Sequence, residues 1–90
     1  MGGTDSGQIR LLIADDHELV RDLVAAHLRA QGQFDVVTVE SFSAAGDAVR
    51  AEGPFDLVLL DFSMPGMDGV EGIAELRARN GGRPVALFSG

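Results

Sequence analysis

The stretch FDLVLLDFSMPGMDG, from Phe55 to Gly69, constrains this chain more than any other. Leu57, Val58, Leu59 and Leu60 run without polar alternation straight into Asp61. Behind the turn pair Gly53-Pro54, such a run reads as a strand buried on both faces, and strands of that kind belong to parallel sheets covered by helices. Asp61 then stands at the C-terminal end of an interior strand, where open α/β sheets place their sites. Met64-Pro65-Gly66 breaks the strand, and Asp68-Gly69 leads into a helical pattern. A carboxylate in such a place is costly unless it has a partner or a task.

The same motif recurs at the start. Ile9 to Ala14 (IRLLIA) is a second apolar run, and it too ends in acid, at Asp15-Asp16. From His17 to Gln31, Val20, Leu23, Val24 and Leu28 recur at helical spacing, with Gly32 as the stop. Phe34 to Val39 is a short strand rich in β-branched residues. Ser41 or Ser43 caps a helix through Ala44, Ala45, Ala48 and Val49. After the central strand, Val70, Ile73, Ala74, Leu76 and Ala78 describe a third helix, stopped by Asn80-Gly81-Gly82. Pro84 leads into a fourth strand, Val85 to Phe88, and residues 1–8 are expected to be a flexible tail.

Strands alternating with helices through short connections predict a flavodoxin-like, doubly wound α/β fold with a parallel sheet of order 2-1-3-4. That order brings Asp15, Asp16 and Asp61 to one edge. Two carboxylates about 4 Å apart repel by about 4 kcal/mol at an effective dielectric of about 20, so the cluster calls for a cation or a shared proton. Oxygen ligands suit a hard ion such as Mg²⁺. A divalent ion beside a carboxylate is also what phosphoryl chemistry requires, and an aspartate can itself become an acyl phosphate. The residues alone thus point to a magnesium-assisted phosphoryl acceptor at Asp61.

Composition excludes several other classes. With no cysteine there is neither a disulfide framework nor a thiolate metal site. The net charge of −7 disfavours direct nucleic-acid binding by this segment. No apolar run approaches membrane-spanning length, and the N-terminus lacks the features of a signal peptide, so a cytoplasmic location is expected. A phosphatase using an aspartyl nucleophile of the haloacid dehalogenase type would want a second aspartate two residues later, where Ser63 stands.

LLIADDHELV, LVLLDFSMPGMDG and VALFSG together resemble the receiver domain of two-component response regulators, over about Ile9 to Gly90. The wording around Asp15-Asp16-His17 is most similar to the subgroup with a C-terminal helix-turn-helix. The resemblance implies that Asp61 is the phosphoacceptor, fed by a sensor histidine kinase, and that the chain is not an enzyme beyond acting on its own phosphoryl group. It further implies Mg²⁺ held by Asp16 directly, by Asp15 largely through water, by Asp61, and by the backbone carbonyl of Ser63. Ser89 matches the switch hydroxyl. A complete receiver continues with a helix, a lysine-bearing strand and a further helix. This chain has no lysine at all, so it reads as a receiver lacking that last part, with output through an effector domain not present here. The fourth strand is expected to be an open, apolar sheet edge that recruits a second copy. The alternative function is a non-phosphorylated pseudo-receiver that serves as a dimerisation or interaction module.

Plainer readings stand beside these. Asp68 reads first as a helix N-cap, His17 as a solvated residue at a helix start, and His27 as a surface or packing residue. Met64 and Met67 read as loop packing. Ser89 could satisfy backbone at a strand end, and Asp15-Asp16 could cap the first helix.

Overall fold

A computed structural model describes residues 8–64 and 69–88. Four strands and three helices alternate: β1 (Ile9–Ala14), α1 (Glu18–Ala30), β2 (Phe34–Val39), α2 (Phe42–Glu52), β3 (Leu57–Asp61), α3 (Gly69–Arg79) and β4 (Val85–Phe88). The sheet is parallel throughout, in the order β2-β1-β3-β4. This is the flavodoxin-like arrangement expected from the apolar runs and the short connections between them. Most of the expected tail lies outside the described residues, as do Asp68, Met67 and Ser89.

Local chemistry sets the helix ends. Ser41, not Ser43, caps α2, its hydroxyl accepting the Ala44 N–H at 3.0 Å. Gly32 follows α1 with φ of 79°, a left-handed conformation that glycine adopts without a Cβ penalty. At the end of α3, Asn80 is more than a stop. Its fully buried side chain donates to the Phe55 carbonyl at 2.9 Å and accepts the Phe55 N–H at 2.7 Å, tying α3 to the approach to β3.

The period of two along each strand divides the core. Leu12, Ala14, Val58 and Leu60 pack on one face with Ala45, Ala48 and Val49 of α2 and Leu76 of α3. Leu11, Ile13 and Val36 pack on the other with Ala25 of α1, flanked by half-buried Val24 and Leu28. Two helices thus cover one face and one helix covers the other. In consequence β3 is not buried on both faces as its unbroken apolar run implied: Val58 and Leu60 are fully buried, while Leu57 and Leu59 on the α1 side are only half-buried.

The inward stripe of α1 also differs from expectation. Val20 and Leu23, expected on the apolar face, are 37% and 61% exposed. The inner row runs through Arg21, Ala25 and Leu28, with Val24 beside it. Arg21 occupies an inward position because its guanidinium donates to the Asp15 backbone carbonyl at 3.0 Å, satisfying a polar group at the end of β1.

Candidate functional site: an acidic cluster at the ends of β1 and β3

Register explains how the acids meet. Ala14 lies opposite Leu60, so the next residues, Asp15 and Asp61, leave adjacent strands side by side. The backbone of each is held: the Asp15 N–H donates to the Val39 carbonyl at 3.1 Å, and the Met64 N–H donates to the Asp61 carbonyl at 3.2 Å. Both side chains are fully buried, whereas Asp16 is about one-third exposed. One ligand atom from each of Asp15, Asp16, His17 and Asp61 lies within 4.8 Å of all the others.

The two oxygens of Asp61 are not equivalent. Oδ1 accepts the Ser63 N–H at 3.0 Å and the Ser63 hydroxyl at 2.8 Å. Oδ2 is buried and has no hydrogen-bond donor, and the same holds for Oδ2 of Asp15. Burial opposes ionisation of Asp61, but the Ser63 N–H and hydroxyl donating to Oδ1, with His17 adding in the same sense, lower its pKa. Among the described residues no arginine pairs with the three carboxylates. Two buried carboxylate oxygens without donors, in one cluster, fit a hard divalent cation bound by oxygen.

His17 is the residue that sequence reasoning underrated. Its side chain is 58% exposed, as a solvated reading expects, yet its Nδ1 lies 3.1 Å from Asp15 Oδ1, 3.2 Å from Asp16 Oδ1 and 3.4 Å from Asp61 Oδ2. The hydrogen bond to Asp15, then the charge of Asp16, raise its pKa above the usual 6.5. The available signal was its position directly after an acid pair at a strand end. His17 is also the N-cap of α1 and makes no side-chain cap bond, so the acid pair does not serve as a helix cap in the way the plainer reading supposed; Asp15 Oδ1 instead accepts the His17 N–H at 2.9 Å. Met64 is buried in the core, as expected of loop packing, and His27 lies on the exposed side of the last turn of α1.

A four-stranded doubly wound sheet with acids at the ends of its first and third strands defines a signalling receiver fold. The family described as the response regulator receiver domain matches residues 11–90, and the chain belongs to it. Over 68 residues, 76% of this chain and 32% of the relative, it is 40% identical to the transcriptional regulatory protein LiaR of Bacillus subtilis. Over 81 residues it is 42% identical to a protein-glutamate methylesterase/protein-glutamine glutaminase of Rhodopseudomonas palustris, covering 90% of this chain and 22% of that protein. The chain therefore spans about a fifth to a third of the length of these curated relatives. Among solved structures, the receiver domain of the response regulator NarL from Mycobacterium tuberculosis superposes with a TM-score of 0.80 at 34% identity, covering 93% of this chain and 68% of that one. The relatives are named as a transcriptional regulator and as an enzyme, so the match by itself does not specify an output.

Proposed function

We propose that this chain is the phosphoryl-accepting module of a cytoplasmic two-component response regulator, with Asp61 as acceptor. The observation that supports this most is Asp61 Oδ2: buried, ionised, without a donor, and facing the other acids. The sensor kinase presents a phosphohistidine; Oδ2 attacks its phosphorus, the P–N bond breaks, and the imidazole leaves with the bonding pair and takes up a proton. Ser63 holds Oδ1 through two bonds and so presents the other oxygen to the incoming phosphoryl group. Asp15, Asp16, Asp61 and the Ser63 backbone carbonyl would hold Mg²⁺, which neutralises phosphoryl oxygens as they gain charge. Ser89 would read the product, and transcription would be the output through an effector outside these 90 residues.

Mass spectrometry after incubation with a small phosphodonor and Mg²⁺ tests this. One phosphoryl group should appear on the wild-type chain and on Ser89→Ala, and none on Asp61→Asn. Since the chain has no lysine to pair with the phosphoryl oxygens, slow labelling is expected. Persistent labelling of Asp61→Asn would place the acceptor elsewhere.

A second reading is favoured by one observation. Among the described residues β4 is hydrogen-bonded only to β3, and Leu87 is 45% exposed on it. Such an edge suits pairing with a second copy, so the module would also act by dimerising.

A further inference from the structure

We infer that Arg21, which lies outside the acidic cluster, is a positioning residue for it. By holding the Asp15 carbonyl, its guanidinium fixes the peptide plane from which Asp16 projects, and so sets how tightly the acids take Mg²⁺. This rests on the preceding reading that the cluster holds a divalent cation.

Arg21 stands where local chemistry disfavours it. It is the fourth residue of α1, near the helix end whose dipole opposes a cation, and its side chain is only 16% exposed. Burying a guanidinium is costly unless an anion pairs with it closely. The carboxylate of Asp22 lies 3.8 Å from Nε, beyond hydrogen-bond reach, and is itself 63% exposed. The hydrogen bond of the guanidinium goes instead to a neutral acceptor, with Nη1 donating to the Asp15 carbonyl at 3.0 Å. An apolar side chain would fill the same inward position at less cost. Residues that break local rules in this way mark functional positions.

What the contact controls is Asp16. The Asp15 carbonyl and the Asp16 N–H belong to one rigid, planar unit. Asp15 has other supports: its N–H donates to the Val39 carbonyl at 3.1 Å, and its Oδ1 accepts the His17 N–H at 2.9 Å. Asp16 lacks them. Among the described residues no backbone hydrogen bond reaches it, and its side chain is about one-third exposed. Arg21 therefore holds the plane between the two acids, and without it that plane is free to turn Asp16 away from Asp15 and Asp61.

One rival role uses the same contact. In it the guanidinium is only a counter-charge that relieves the acids. The two roles predict opposite results. Removing a positioning residue weakens cation binding, whereas removing a counter-charge leaves a more negative cluster and strengthens it.

The experiment titrates the whole chain with Mg²⁺ by calorimetry, as wild type, Arg21→Met, Arg21→Gln and Arg21→Lys. Arg21→Met should weaken binding about tenfold or more. Arg21→Lys, which keeps both donor and charge, should stay within about threefold of wild type. Arg21→Gln keeps a donor without the charge and should fall between them; it also decides the matter if Arg21→Met fails to fold. Arg29 makes the same kind of contact at the far end of α1, donating to the Val36 carbonyl at 2.9 Å, so Arg29→Met should leave the Kd unchanged. Thermal unfolding under chelation should show Arg21→Met at least as stable as wild type, which a merely structural arginine would not allow. In nitrogen–proton spectra of the metal-free chain, the Asp16 amide should shift and broaden in Arg21→Met and return in Arg21→Lys. Binding by Arg21→Met within threefold of wild type or tighter, or a loss that lysine does not restore, overturns the inference and leaves the cation site intact. A wild type that binds no Mg²⁺ overturns the cation reading, and the Asp16 amide then decides by itself whether Arg21 positions that residue.

Discussion

Replacing Asp61 by asparagine should make the metal-free chain more stable, although it removes the residue on which the site turns. The ligand oxygens of Asp15 and Asp61 lie within 4.8 Å of each other, and both side chains are fully buried. Unit charges at that separation repel by about 3.5 kcal/mol at an effective dielectric of about 20, and by about 1 kcal/mol in bulk water. Burial puts the pair nearer the first figure. Against this relief, the two Ser63 bonds to Oδ1 would fall on a neutral oxygen and lose about 1 kcal/mol together. A net gain of about 2 kcal/mol remains, which for a domain of this size raises Tm by roughly 8–16 °C. The assay is thermal unfolding by circular dichroism in the presence of a chelator. It is run at mildly alkaline pH so that an imidazolium at His17 does not compensate the acids. Adding Mg²⁺ to about a hundred times its Kd should then stabilise only the wild type, by about 2.7 kcal/mol, and close the gap. If Asp61→Asn unfolds at the same or a lower temperature under chelation, the buried carboxylates are not in conflict, and electrostatic demand for a cation disappears.

Three further outcomes follow from single contacts. His17 has a raised pKa, so its contribution to stability is fully present below about 6.5, the unfolded value, and is lost as pH rises through the folded value. Urea midpoints of the metal-free wild type should fall across that window, and His17→Ala should remove the slope; a flat wild-type profile would show that the imidazolium does not bind the acids. Asn80→Ala leaves the buried N–H and C=O of Phe55 without partners, and should cost about 2–4 kcal/mol by urea unfolding, whereas a loss under 1 kcal/mol would mean that water replaces the side chain. On the open edge, sedimentation at micromolar concentration should show a dimer or larger species that Leu87→Lys disperses; a wild-type monomer would remove the dimerisation reading.

The residues that were easy to read are those whose pattern depends on backbone periodicity. The runs Ile9–Ala14, Phe34–Val39 and Val85–Phe88 form the strands their apolar and β-branched residues imply, and the sheet order follows from their alternation with helices. Asp15 and Asp61 meet because register is a property of whole strands, which a run ending in acid advertises. Side-chain direction was harder. Val20 and Leu23 face outward because Arg21, a residue that hydropathy assigns to the surface, turns inward to reach a carbonyl. His17 was undervalued for a related reason: adjacency to two acids says nothing about whether a ring turns toward solvent or across the cluster. Leu57 and Leu59 reflect a count of covering helices, which the strand's own apolar run does not encode.

The measurement that tests the central claim most directly is the chemical location of the phosphoryl group. The chain, treated with a small phosphodonor and Mg²⁺, is reduced with borohydride, which converts an aspartyl phosphate to homoserine, and the digest is then sequenced by tandem mass spectrometry. Homoserine should be found at position 61 alone, should need the divalent ion, and should disappear in Asp16→Asn while surviving in Asp68→Asn. Homoserine at position 15 or 16 instead, or labelling at 61 that ignores the metal and the Asp16 substitution, would contradict the assignment of Asp61 as a cation-assisted acceptor.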